Sequence, residues 1–283
     1  MLEKNVSAFI GCDCEYEEAA TVLFGAPFDS TTSFRPGTRF ASSAMRSESF
    51  GIETFSPYQD RDLTDIKVFD SGDLELPFGS TEQALRDIEE RTETIFADGK
   101  MPCMIGGEHL VTLGAVRAAV KRYPELHIIQ FDAHADLRED YLGVRLSHAC
   151  VLRRCHDLVG DGRIFQFGIR SGEREEFEFA KQHTFMNRFT FDRLEEAVKK
   201  IGKAPVYFTL DLDVLDPAEF PGTGTPEAGG VRFTELLKAI RTIGELDIKA
   251  FDMNELSPVY DQSGRSTALA CKLLREMLLR FSR

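Results

Sequence analysis

The sequence predicts an α/β protein built on a parallel sheet. Two observations carry this: short apolar runs recur along the whole chain, and segments with helical apolar spacing lie between them. Runs this short, rich in β-branched and aromatic residues, suit strands covered by helices on both faces. Strand alternating with helix calls for parallel pairing.

In chain order the runs are residues 20–25 (ATVLFG), 66–69, 103–105, 127–131 (HIIQF), 164–168, 206–210 (VYFTL) and 248–251. Among the helical segments, Leu85, Ile88 and Ile95 sit in a charged stretch that Gly99 terminates. The acidic stretch 173–181 reads as a helix with Glu173 in its first turn, where a carboxylate complements the helix dipole. Phe233, Leu236, Leu237 and Ile240 fall at i, i+3, i+4 and i+7, and Leu274, Met277, Leu278 and Phe281 repeat that stripe. No repeat, low-complexity tract or linker interrupts the pattern, so residues 1–283 are expected to form one domain.

Composition narrows the function. The 283 residues carry 34 Lys+Arg against 47 Asp+Glu, a net charge of −13. Such a chain repels phosphate, which argues against general binding to nucleic acid or to an anionic membrane. The same charge is compatible with a cationic small-molecule substrate. No stretch approaches the roughly 20 apolar residues of a membrane span, and Met1-Leu-Glu-Lys-Asn5 lacks the features of a signal peptide. Six scattered cysteines, with Cys12 and Cys14 forming a lone C-x-C, exclude a zinc ribbon and suit a reducing, cytoplasmic setting.

In parallel sheets ligands bind at the carboxyl ends of strands. The run 127–131 exits into Asp132-Ala-His134-Ala-Asp136, the run 206–210 into Asp211-Leu-Asp213, and the run 103–105 into Gly106-Gly-Glu108-His109. Residues two apart in an extended exit share a side. Any one of these motifs alone could be a set of turn formers. Together they bring four aspartates and two histidines to one sheet edge, where unneutralised carboxylates would repel. Metal ions resolve the conflict. An all-nitrogen-and-oxygen donor set rich in carboxylate fits Mn(II), with Fe, Co or Ni able to compete. Six side chains suit two ions on the order of 3.5–4 Å apart, which make bound water a nucleophile at neutral pH. His148 and Glu255 lie on loops leaving the same edge, whereas His127, His156 and His183 have no motif around them and read as structural.

These residues carry a resemblance. Gly25-Ala-Pro-Phe-Asp29, Arg35-Pro-Gly-Thr-Arg39, Gly106-Gly-Glu-His109, Asp132-Ala-His-Ala-Asp136 and Thr209-Leu-Asp-Leu-Asp213, leading to Pro221-Gly222 and Gly230, resemble the ureohydrolases, the arginases and agmatinases. The bacterial and archaeal agmatinases look most similar. The resemblance implies a three-layer α/β/α fold of the arginase/deacetylase type, two Mn²⁺ ions and hydrolysis of a guanidinium group to urea. It implies one ion on His109, Asp132, Asp136 and Asp211, and the other on His134, Asp132, Asp211 and Asp213. It also implies a proton-shuttling His148, aided by Asp136, and a Glu255 that pairs with the substrate guanidinium. A homo-oligomer, trimer or hexamer, follows from the same likeness.

Arginases place an asparagine two residues beyond the third ligand of the DxHxD run and a Ser-Gly-Asn stretch before the mobile histidine. Here Arg138 and Val144-Arg-Leu-Ser147 stand instead, which favours a decarboxylated guanidine such as agmatine, cleaved to putrescine and urea in polyamine biosynthesis. Glu173 is the candidate partner for the distal ammonium. N1-aminopropylagmatine fits equally, while guanidinobutyrate would need a basic partner such as Arg138 or Arg170. Arginine itself fits less well. A single-zinc deacetylase of the same broad fold would need a His-His pair, and this chain has none.

Overall fold

The computed structural model describes residues 7–282. The elements, in order, are β1 (Thr21–Gly25), α1 (Ala41–Glu48), a hairpin of β2 (Phe55–Ser56) and β3 (Arg61–Asp62), β4 (Val68–Asp73), α2 (Thr81–Ala97) and β5 (Met101–Ile105). Then come α3 (Val111–Arg122), β6 (His127–Phe131), α4 (Val151–Val159), β7 (Ile164–Ile169), α5 (Arg174–His183), β8 (Phe185–Arg188) and α6 (Leu194–Ile201). The last four are β9 (Pro205–Asp211), α7 (Phe233–Ile243), β10 (Asp247–Asn254) and α8 (Arg265–Phe281).

Eight strands form one sheet in the order β4-β1-β5-β10-β9-β6-β7-β8, with every pairing parallel. Successive strand residues feed opposite layers, as the two-residue period demands. In β9, Val206, Phe208 and Leu210 pack with α6, α7 and α8 on one face, while Tyr207 packs with α2, α3 and α4 on the other. In β6, Ile129 and Phe131 join the first core and Ile128 the second. The expected three-layer α/β/α architecture is therefore present. Each of the seven expected apolar runs overlaps a sheet strand; Ala20 precedes β1, and Ile66 and Lys67 precede β4.

The eighth strand, β8 (FMNR), was not among the expected runs. It is an edge strand pairing only with β7, so it needs no continuous apolar sequence. At the opposite edge, β4 carries Asp70 and Asp73, which grip the buried Arg46 of α1; Arg46 Nε and Nη2 donate to the two Asp70 oxygens at 2.8 and 2.9 Å. The acidic helix begins one residue later than expected, with Glu173 at its cap rather than in its first turn.

The order of strand insertion positions the site. The chain lays down β1, β4 and β5 on one side, jumps to build β6, β7 and β8, and then returns to place β9 and β10 between β5 and β6. Such a reversal leaves a crevice at the carboxyl ends of the central strands.

Candidate metal centre

Four adjacent strands, β5, β10, β9 and β6, deliver the candidate residues. After β5, Gly106 and Gly107 make a turn with no room for a side chain: a Cβ would lie 1.8 Å from Asn254 Oδ1 at the first and 1.9 Å from the Phe28 carbonyl oxygen at the second. That close approach brings His109 under the sheet edge at the start of α3. After β6 the chain crosses Asp132, His134 and Asp136, the last with φ +54°. After β10, Glu255 has φ +65°. Left-handed backbone is uncommon outside glycine, though aspartate adopts it more readily than most residues, so the Glu255 turn is the one held against a local preference.

The side chains converge. His109 Nδ1 lies 3.0 Å from Asp132 Oδ2, 3.1 Å from Asp136 Oδ2 and 3.3 Å from Asp211 Oδ2. His134 Nδ1 lies 2.8 Å from Asp213 Oδ2 and 3.7 Å from Asp132 Oδ1. Two groups able to hold an ion result, His109–Asp132–Asp211 and Asp132–His134–Asp213, and they share Asp132. Buried His109 Nδ1 and Asp213 Oδ2 make no hydrogen bond.

The electrostatics call for cations. Burial first, then Asp213 and Asp132, push the Asp211 carboxyl well above its ordinary value. Burial and Asp132 push Asp136 up to about 7. Burial opposes a charge on His109 and His134, yet the surrounding aspartates hold both imidazoles well above their usual range. Two imidazoles cannot offset four buried carboxylates, whereas two divalent cations can. Donor chemistry, orphaned atoms and charge all fit metal ions.

A polar layer beneath the cluster orients it. Gln130 Nε2 donates to Asp132 Oδ2 at 2.6 Å, and Gln166 Nε2 donates to Gln130 Oε1 at 2.7 Å. His109 Nε2 sits 2.8 Å from Thr209 Oγ1; with Nε2 donating, the Nδ1 lone pair faces the carboxylates. Buried Asp252 accepts from Tyr207, Thr112 and Asn254 at 2.6–2.8 Å. Sequence reasoning missed these residues. Their signal was a polar side chain inside an otherwise apolar strand, as Gln130 is in HIIQF and Thr209 in VYFTL.

His148 and Glu255 both reach the site's surroundings. The His148 N–H donates to Thr31 Oγ1 at 3.0 Å, and the Thr31 hydroxyl donates to Glu108 Oε1, tying the histidine's loop to the Gly106–His109 turn. Burial, then His134 and His109, push the His148 imidazole down to about 4, so it is neutral at pH 7. Glu255 is buried, and its Oε1 accepts the His109 N–H at 2.8 Å. Burial, then Glu108, raise its carboxyl well above the usual range, an environment that a guanidinium would reverse.

A cavity of about 200 Å³ opens over the cluster, lined among others by His134, Asp136, Arg138, Tyr141, His148 and Glu176. Glu173 is not part of that lining. Its carboxylate pairs with Arg138 Nη1 at 2.8 Å, and Glu176, one turn later, lines the cavity in its place. Arg170 is also elsewhere: its guanidinium donates to the backbone carbonyls of Asp213, Val214 and Glu227 at 2.7, 3.1 and 2.8 Å.

Residues 19–279 match the model of the Arginase family. The chain belongs to the arginase family. It is 47% identical over 277 residues to the agmatinase of Bacillus subtilis, covering 96% of each chain. It is 38% identical to the N(1)-aminopropylagmatine ureohydrolase of Thermococcus kodakarensis, covering 92% of this chain and 90% of the relative. A crystal structure of a candidate agmatinase from Clostridium difficile superimposes with a TM-score of 0.92 at 51% identity, covering 95% of this chain and 99% of that one. As an arginase-family member the protein is a ureohydrolase, a hydrolase of C–N bonds.

Proposed function

We propose that the protein hydrolyses agmatine to putrescine and urea with two Mn²⁺ ions. The observation that carries the reading is the pair of His/Asp groups sharing Asp132 at the carboxyl ends of β5, β6 and β9. His109, Asp132, Asp136 and Asp211 would hold one ion, and His134, Asp132, Asp211 and Asp213 the other. When bound, the ions supply Lewis acidity and a nucleophile at neutral pH.

The chain's own residues supply the rest. The guanidinium carbon is resonance-stabilised, so water must meet it in a fixed orientation. Glu255, buried beside Glu108 and short of a positive partner, binds the cation and sets its plane. Asp136 Oδ2 is placed to take the proton released as water adds. The neutral His148 imidazole, on the same cavity wall, exchanges protons between the site and solvent. The departing amine must leave protonated, and that relay provides the proton.

The cavity's charges bear on the choice of guanidine. Arg138 is committed to Glu173 and lies 3.5 Å from Glu176, while Arg170 is tied to backbone carbonyls. Neither is free for a substrate carboxylate, which disfavours guanidinobutyrate and arginine. Glu176 leaves an acidic group on the cavity wall for the distal ammonium of agmatine. The Thermococcus relative keeps N1-aminopropylagmatine as the second reading. We place the enzyme in polyamine biosynthesis, as a cytoplasmic homo-oligomer with residues 1–283 acting as one catalytic domain; among the described residues no helix is long and apolar enough to cross a membrane.

Urea release from agmatine, N1-aminopropylagmatine, arginine and guanidinobutyrate, each with Mn²⁺, tests the reading. Agmatine should give the highest kcat/KM. Preference for a carboxylate-bearing guanidine would overturn the substrate assignment, and acetate release from an acylated polyamine without urea would overturn the reaction.

A further inference from the structure

A second cluster of metal-binding side chains lies at the opposite edge of the sheet. His156 is on α4, Asp161 is in the turn that leads to β7, and His183 ends α5 just before β8. All three therefore sit at the amino-terminal ends of β7 and β8, away from the carboxyl ends that carry the catalytic residues. His156 Nε2 lies 2.8 Å and His183 Nδ1 2.6 Å from the same oxygen, Asp161 Oδ1. Beyond the shared Asp132 groups, this is the other set among the described residues whose donor atoms converge closely enough to hold an ion.

The backbone builds this arrangement. Gly160 and Gly162 flank Asp161 with φ +81° and +73°, a turn that glycine alone adopts without strain. The Gly160 N–H donates to the His156 carbonyl at 2.8 Å, and the Gly162 N–H donates to the His183 carbonyl at 2.9 Å. Each neighbour of the aspartate is thus pinned to one of the two histidines. Phe179 fixes both rings: His183 stacks on it at 4.2 Å, and His156 meets it edge-on at 4.9 Å. Arg153 covers the same phenylalanine at 3.8 Å.

We propose that His156, Asp161 and His183 form a separate metal site that takes a borderline divalent cation, Zn²⁺ foremost. Two imidazoles converging on one carboxylate oxygen need a proton on each facing nitrogen to be satisfied. A single divalent ion replaces both protons and binds all three atoms. Two nitrogens and one oxygen suit Zn²⁺, Cu²⁺ or Ni²⁺ better than Mn²⁺. The Asp161 side chain is 67% exposed, so water completes a tetrahedral shell. Donors around tetrahedral zinc stand about 3.3 Å apart, an opening of roughly half an ångström that exposed side chains can make. The ion would staple the end of α4 to the end of α5, a structural rather than a catalytic role.

The test is a Zn²⁺ titration by calorimetry of the Mn²⁺-loaded protein, comparing wild type with His156→Gln, His183→Gln and the double variant. Zinc that displaces manganese at the catalytic centre does so equally in all four and cancels in the comparison. Wild type should bind one more Zn²⁺ than the double variant, and each single variant should hold that ion at least about tenfold more weakly, no less than the loss of an outer-shell partner costs. Zinc should also raise the unfolding midpoint of wild type above that of the variants. Asp161→Asn, at an exposed position where folding is not at stake, should lose the same ion. Equal zinc stoichiometry and affinity in wild type, the double variant and Asp161→Asn would overturn the proposal.

Discussion

At the scale of single residues, carboxylates that look alike in the sequence have different duties. Asp132 belongs to both donor groups, so Asp132→Ala should lose both ions and take urea release to background; metal content by atomic emission checks this directly. Glu255 touches the His109 backbone but neither donor group. Glu255→Gln should therefore keep its full metal content while kcat/KM falls about 10²–10³-fold, the order of losing one preorganised electrostatic partner. Lost metal in that variant would make Glu255 a ligand instead. The polar layer gives a third expectation: Gln130→Leu removes the 2.6 Å donor to Asp132 and should weaken Mn²⁺ binding about 10–100-fold, measured by titration, with the fold intact.

At the scale of elements, the site depends on turns more than on strands. The DxHxD and DxD exits were legible because period-two polar residues followed apolar runs, and GGEH because paired glycines announce a tight turn. The structure adds why both glycines are needed, since any Cβ at Gly107 would strike the Phe28 carbonyl. Gly107→Ala should destabilise the protein by about 1–3 kcal/mol, the usual cost of overpacking, and weaken metal binding by displacing His109; denaturant unfolding and metal titration report the two effects. Other elements hid themselves for physical reasons. β8 is an edge strand of mixed composition. α3 is buried around almost its whole circumference, so VTLGAVRAAVKR shows no single apolar stripe. Glu173 looked like the cavity's acidic group because it follows β7, but helix geometry turns it toward Arg138 and presents Glu176. Arg170, weighed as a substrate contact, is consumed by backbone carbonyls, among them those of Asp213, Val214 and Glu227.

At the scale of the whole molecule, the fold concentrates uncompensated negative charge at one edge of its sheet. β9 and β10, the last strands in the chain, lie between β5 and β6, so the site unites residues from His109 to Glu255. Binding of ions to the native arrangement alone should stabilise the entire protein. At a free Mn²⁺ concentration of 100 times Kd, one site contributes about 2.7 kcal/mol, and two should raise the unfolding midpoint by about 10 °C relative to chelator-treated protein. An unchanged midpoint would mean that the four buried aspartates are neutralised in some other way.

The central claim is that these residues hold two ions bridged by shared aspartates. Crystals grown with Mn²⁺ and measured at the manganese absorption edge test it most directly. Two anomalous peaks about 3.5–4 Å apart are expected, one against His109 and Asp136, the other against His134 and Asp213, with Asp132 and Asp211 between them. A single peak, or two peaks that do not share Asp132, would contradict it.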